Sequence, residues 1–239
     1  TPASFLISVI AIILLIPVFI VLVLILPANF STAALIFSMV ILLAFLGGYP
    51  FKYLSIIIGS GLMVLMLFVL TAIAFPDLMP NRVDTWTSRI SSFMDQDVTV
   101  EDYQIEKAKI AIATGGVQGL GPGKSIQKNF LPQSSSDFIY AIIVEEFGLV
   151  GSLFLMSLYM LLLFRFVIVA HKAKTIFGKL LVIGVGLPIV FVALVNMAVA
   201  VEIFPVTGQT LPLISSGGSS IWMTCMAIGM VLSVSAKRE

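Results

Sequence analysis

The run FIYAIIVEEFGLVGSLFLMSLYMLLLF at residues 138–164 decides the fold. It exceeds the ~20 apolar residues a helix needs to cross a ~30 Å hydrocarbon core, and its only carboxylates are Glu145 and Glu146. Five further runs, at 5–26, 33–46, 54–75, 180–204 and 221–234, cross or nearly cross the same thickness. The second and the last of the six are short, and each is expected to gain a turn or two from neighbouring Ser, Thr and Gly residues. The expected fold is an all-α, polytopic transmembrane helix bundle of about six spans, in one membrane domain over residues 1–239.

Composition agrees. Of 239 residues, 59% are hydrophobic and 10% charged, with a mean hydropathy of +1.15, well beyond the apolar share of a soluble domain. A net charge of +1 gives no reason to expect nucleic acid as a partner. One cysteine, Cys225, excludes an internal disulfide, and with the single His171 it argues against a Cys/His metal site. The first residue is Thr1 and no basic n-region precedes the first apolar run, so no signal peptide is expected and the chain reads as a fragment.

Basic residues set the expected orientation. Lys52, then Arg165, Lys172, Lys174 and Lys179, then Lys237 and Arg238 share one side in a six-span threading, and the positive-inside rule makes that side cytoplasmic. Residues 29–31, 76–137 and 205–220 then face outward. The long loop 76–137 carries Arg82, Arg89, Lys107, Lys109, Lys124 and Lys128, which a loop of about sixty residues tolerates. Part of it should be helical: Thr99-x-x-Asp102 is a capping-box pattern, and Ile105, Ala108 and Ile112 form an apolar stripe at helical spacing before Gly115 and Gly116. This predicts an amphipathic helix near the outer surface.

Chemistry is expected where acids meet the apolar runs, because an ionised carboxylate in hydrocarbon costs several kcal/mol unless paired, neutralised or wet. In LPQSSSDFIYAIIVEEFG, residues 131–148, Asp137 stands at the mouth of the fourth span. Ser134-x-x-Asp137 is a capping-box pattern, so Asp137 reads as a helix cap; it also reads as a general base or a ligand for a hard cation at the membrane surface. Glu145 and Glu146 fall on different helix faces, and Glu145 is the one expected to point with Asp137 into a shared cavity. A hydrogen-bonded acid joining two helices is the competing role for it.

Two loops flank this region in the expected topology. PVTGQTLPLISSGGSS, 205–220, can cap and shape the last helix, or its amides from Ser216 to Ser220 can cradle an anion at the positive end of the helix dipole. GGVQGLGPGKSIQK, 115–128, is not a Walker A loop, because Gln118 stands where the opening glycine belongs and no strand precedes it. It is expected to be a flexible loop, whose Lys124 and Lys128, with Arg82 and Arg89, are available cations for an anionic membrane-bound substrate. Asn196, with Gly184, Gly186 and Pro188, reads as packing and a kink.

Together these residues resemble the SEDS family of bacterial cell-wall glycosyltransferases. The resemblance runs from about Pro27 onward and rests on Tyr103-Gln104, Ala111 to Gly116, Gly119-x-Gly121, Leu131-Pro132, Asp137-Phe138-Ile139, Glu145-Glu146-x-Gly148, Asn196, and Pro205-x-x-Gly208-x-x-Leu211-Pro212-x-x-Ser215-x-Gly217-Gly218-Ser219. Ser125-x-Gln127-Lys128 looks more like the division branch, FtsW, than the elongation branch, RodA. The resemblance implies roughly ten helices, of which this chain would supply about the last six and lack the first four. It also departs from the family pattern: Ser216 replaces a Tyr, Asn29 an Asp, Leu120 a frequent Lys, and Glu202 a usual Gly.

The resemblance implies polymerisation of lipid II into glycan strands at the outer face of the bacterial cytoplasmic membrane, with Asp137 catalytic. Candidate contacts to lipid II are Arg82, Arg89, Lys124, Gln127 and Lys128 from the long loop, Glu145 from the helix, and Ser215, Gly217, Gly218 and Ser219 from the Gly/Ser loop. Mg²⁺ or Mn²⁺ is allowed but fixed by no spacing. The implied partners are undecaprenyl-linked glycan, a class B penicillin-binding transpeptidase and division proteins. Two rival functions are a lipid II translocase, which would need acids through the whole bilayer depth, and a non-catalytic division scaffold.

Overall fold

A computed structural model describes residues 16–74 and 100–236, the side chains of 72–74 and 100–102 excepted. The start of the first run, the Thr99 capping box, Arg82, Arg89, Lys237 and Arg238 lie outside the described residues. Every described element is helical, in two units, residues 1–88 and 89–239.

In the first unit α1 spans Ile16–Ile25, α2 Phe30–Leu46 and α3 Phe51–Ala74. The side chain of Asn29 caps α2 by accepting from the Thr32 amide at 3.1 Å, which a short polar residue does at a helix start. Gly48, at φ 80°, ends it in a Schellman turn: its amide bonds Phe45 O, and the Tyr49 amide bonds Ala44 O at 2.9 Å. Pro50 then opens α3. The three helices border an apolar groove of about 530 Å³ lined by residues such as Phe19, Phe30, Phe37 and Leu65.

The second unit holds α4 (Val100–Gly115), a 3₁₀ turn (Gln127–Asn129), α5 (Ile139–Lys172), α6 (Ile176–Ala200) and α7 (Gly218–Ala236). One core packs Tyr140, Val144, Leu155, Tyr159 and Phe166 of α5 against Val182, Ile189, Val190, Ala193 and Met197 of α6 and Val231 of α7. A second sets Ala108 and Ala111 of α4 against Leu131, Phe138, Ala141, Ile142, Val199 and Val206. The expected amphipathic helix is therefore present, with alanines permitting close approach to α5. Outward faces of α5 and α7 expose Phe154, Leu161, Phe164, Trp222 and Met223, a surface that requires hydrocarbon around it. Four described helices, α3, α5, α6 and α7, are long and apolar enough to cross a membrane; α1 and α2 are shorter. This is a polytopic membrane protein.

The fourth run is not the continuous helix that its hydropathy suggested. Gly148 sits at φ 66°, ψ −168°, and breaks α5. In an unbroken helix the Leu149 and Val150 amides would bond the carbonyls of Glu145 and Glu146. Instead those carbonyls accept from the Leu120 and Gly121 amides, both at 2.9 Å, while the Leu149 and Val150 amides donate to Gly116 O at 2.9 Å and Val117 O at 3.3 Å. Residues 116–121 are therefore a fixed strap rather than the flexible loop expected. Four polar groups freed by the break would each cost several kcal/mol unpaired in hydrocarbon, and the strap satisfies all four. The approach is close enough that a Cβ on Gly119 (φ 77°) or Gly148 would run into the carbonyls of Glu146 and Val117 respectively.

Replacing Gly148 with Ala should therefore destabilise the fold by more than about 3 kcal/mol, from a backbone conformation only glycine tolerates plus a clash with the strap. Gly229→Ala, where the space for a Cβ is open, should be near neutral. Thermal unfolding of the two purified variants in detergent checks this, and equal midpoints would overturn it.

Candidate functional site

Asp137 is placed by its backbone. Residues 132–138 form consecutive turns closed by Ser136 N to Gln133 O at 3.0 Å and Phe138 N to Gln133 O at 3.3 Å. Leu131 and Phe138, 3% and 1% exposed, anchor the two ends in the core, so the half-buried Asp137 is held between apolar stops. The helix-cap reading is corrected: the N-cap of α5 is Phe138, without a side-chain cap bond. Because the α5 ladder begins at Phe138 O, the carbonyls before it are available to other segments.

Three consecutive carbonyls are taken in that way. Ser135 O accepts from both the amide and the hydroxyl of Ser216 at 2.9 Å. The Ser215 hydroxyl donates to Ser136 O at 2.5 Å and accepts from the Leu211 amide at 2.7 Å. Asp137 O accepts from Asn196 Nδ2 at 2.7 Å, and the same nitrogen donates to Gln209 O at 2.7 Å. The buried Tyr159 hydroxyl donates to Pro212 O, tying the middle of the 205–217 loop to the long arm of α5. Gly208, at φ 65°, brings its backbone beside the carboxylate, such that a Cβ there would lie 3.7 Å from Asp137 Oδ2.

The two motifs expected on one face are thus in contact: Asp137 and Ser215 are clamped together, with Gly217, Gly218 and Ser219 following at the start of α7. The expected anion cradle is narrower than its sequence suggested, because the Ser216 amide is spent on Ser135 O. The first bond of the α7 ladder is Ile221 N to Gly217 O at 3.0 Å, so the amides of Gly218, Ser219 and Ser220 precede it and have no intrahelical acceptor. These are the donors that a helix start offers an anion.

Glu145 does not share a cavity with Asp137, and that expectation is corrected. It is fully buried, and its carboxylate accepts from the Ser125 hydroxyl, the Ile126 amide at 3.1 Å and the Gln127 amide at 3.3 Å. It joins a helix to a loop, pinning the strap's continuation much as a hydrogen-bonded structural acid would. Ser125 Oγ also accepts from the Lys128 amide at 3.1 Å, and Lys128 O accepts from the Ser134 hydroxyl at 3.1 Å. That chain of bonds carries residues 125–128 to the turn holding Asp137. The side chains of Lys124 and Lys128 are exposed, and Gln127 is half-buried. Among the described residues no three His, Cys, Asp or Glu side chains converge as a metal site. Asn196, Tyr159 and Gly208 were missed as site residues; Asn196 showed only as a lone amide in its span, and nothing set Tyr159 apart from Tyr140, Ser152 and Ser157 in the same run.

Known proteins resemble the whole arrangement. The family model for FtsW/RodA/SpoVE cell cycle proteins matches residues 3–239. A "probable peptidoglycan glycosyltransferase FtsW" from Coxiella burnetii is 33% identical over 223 residues, covering 90% of this chain and 57% of that protein. The protein of that name from Xanthomonas oryzae is 37% identical, covering 90% of this chain and 43% of its own length. This chain thus spans about half the length of such relatives. Among solved structures, a chain of a peptidoglycan synthase complex superposes with a TM-score of 0.66 at 28% identity, covering 91% of this chain and 59% of that one. A mutant of rod shape determining protein RodA from Thermus thermophilus gives 0.57 at 26% identity, with 91% and 54% covered.

Glu202, the departure without a rationale in the sequence, has one in the structure. It occupies the left-handed position of a Schellman turn ending α6, at φ 61°, with its amide on Val199 O at 3.0 Å and the Ile203 amide on Ala198 O at 2.8 Å. Glycine suits that position, and Glu there costs on the order of 1 kcal/mol. In return its carboxylate pairs with Lys109 of α4, an exposed contact that salt weakens. Glu202→Gly should therefore leave the unfolding midpoint nearly unchanged at low salt and raise it at high salt, where the pair is screened and only the strain remains. A midpoint that falls equally at both salt concentrations would contradict this.

Proposed function

The chain belongs to the FtsW/RodA/SpoVE family of cell cycle proteins, and on that premise we propose that it carries the reaction centre of a peptidoglycan glycosyltransferase that polymerises lipid II, in the division branch. The observation that supports this most is a carboxylate, Asp137, set on a carbonyl-clamped turn beside Gly208 and next to the start of α7.

In the proposed reaction the 4-hydroxyl of an acceptor GlcNAc attacks the anomeric carbon of a lipid-linked MurNAc. The new C–O bond forms as the bond to pyrophosphate breaks; the hydroxyl proton passes to Asp137, and the electron pair leaves with undecaprenyl pyrophosphate. A positioned general base typically contributes about 10²–10⁴ in rate. The departing diphosphate is met by the free amides of α7, with Lys124, Gln127 and Lys128 as further contacts. Ser215 and Gly217 shape the loop that aims those amides, and Glu145 holds the 125–128 segment in place. Were a Mg²⁺ or Mn²⁺ ion bound, Asp137 is the described residue that would hold it, and the ion would supply positive charge to the leaving group.

The basic residues Arg165, His171, Lys172, Lys174 and Lys179 gather at the end of α5 and start of α6 opposite Asp137. This supports an extracytoplasmic active face in the bacterial cytoplasmic membrane. A class B penicillin-binding transpeptidase is the proposed partner, by analogy with the peptidoglycan synthase complex. Asp137→Asn in the full-length protein should reduce lipid II polymerisation at least ~100-fold while leaving its folded yield intact. Gel analysis of glycan products decides it, and undiminished synthesis would remove the general base from the mechanism.

A further inference from the structure

We propose that Asn196 is the positioning residue for Asp137, a role resting on the reading of Asp137 given above. Asn196 lies in the last turns of α6, 1% exposed, in a helix otherwise built of apolar and small residues around it. Its amide nitrogen has two hydrogens, and both are used, one on Asp137 O and one on Gln209 O, each at 2.7 Å. The two acceptors belong to different segments, the turn 132–138 and the loop 205–217. A single rigid group therefore fixes the spacing between the carboxylate and the loop that leads to the α7 amides.

Packing alone does not account for this side chain. Asn196 Oδ1 is buried and has no hydrogen-bond partner among the described residues. An apolar residue of the same size would fill the volume without stranding an acceptor, so the amide is used for its donor end. The bond it makes is also outside the helix ladder, since the Ala141 amide turns to Phe138 O at 3.0 Å and leaves Asp137 O to Asn196. With its carbonyl held, the main chain of Asp137 is fixed. The carboxylate then moves only by its own side-chain rotations, beside the Gly208 backbone. A base held in that way loses rate steeply when its support loosens.

The test uses the full-length protein with its transpeptidase partner, assayed on lipid II. Asn196→Ala, and Asn196→Leu as the near-isosteric variant that adds no buried charge, should lower kcat about 10–100-fold with KM changed less than about two-fold. In an Asp137→Asn background the same changes should cost less than about two-fold more, because the residue acts only through that carboxylate. Hydrogen exchange should quicken in residues 131–138 and 205–211 and stay unchanged in 149–172. Wild-type kcat in the Asn196 variants, or a full additional loss in the Asp137→Asn background, overturns the proposal. So does failure of both variants to fold, which would make Asn196 a general determinant of the fold. An Asp137→Asn protein with full activity instead sinks the reading of the site itself, so the two failures are distinguishable.

Discussion

The break at Gly148 is the constraint on which the second unit depends. Opening a helix inside an apolar protein frees amides and carbonyls that water cannot reach, and such groups must be paired within the chain. Residues 116–121 do the pairing, with two donors for the carbonyls of Glu145 and Glu146 and two acceptors for the amides of Leu149 and Val150. From that strap the chain runs directly to the segment held by Glu145, then through Ser125, Lys128 and Ser134 to the turn of Asp137. Each link is a backbone or hydroxyl bond. The location of the carboxylate is therefore inherited from a helix break about ten residues further along the chain.

The same logic explains why a carboxyl group is tolerated at zero exposure. Glu145 sits among the Ser125 hydroxyl and two backbone amides, which satisfy its oxygens without a counter-ion. Replacing it with an apolar residue would strand those donors, and burying an unpaired amide is costly. Glu145 and Gly148 are thus parts of one device: the glycine opens the helix, the strap fills the opening, and the acid holds residues 125–127 beyond the strap.

Much of this was legible in the sequence. The polytopic all-helical character, with four of the six expected runs in helices long and apolar enough to cross a membrane, the helix of residues 100–115 and the pairing of the Asp137 and Gly/Ser motifs could be read, because hydropathy runs and helical stripes report burial directly. The strap could not. Its glycines gave a signal of flexibility, whereas in the fold glycine is needed at Gly119 and Gly148 because two backbones touch. Asp137 matched a capping box by spacing but does not cap, because Phe138 takes the cap position and the apolar stops at Leu131 and Phe138 set the turn instead. Asn196 carried no pattern beyond being polar in an apolar helix; its bonds depend on residues 59 and 13 positions away, which no local period encodes.

Glu202 shows how a departure from a family pattern is absorbed. A left-handed helix end favours glycine, as Gly48 illustrates at the end of α2 with the same pair of Schellman bonds. At the end of α6 the chain accepts strain of about 1 kcal/mol and offsets part of it with an ion pair to α4 worth at most about 1 kcal/mol at low salt. The exchange is close to neutral in stability but not in connectivity. It ties the amphipathic helix to the segment that begins the 205–217 loop, so that α4 is linked to the surroundings of Asp137 from both sides, through the strap after Gly115 and through Lys109.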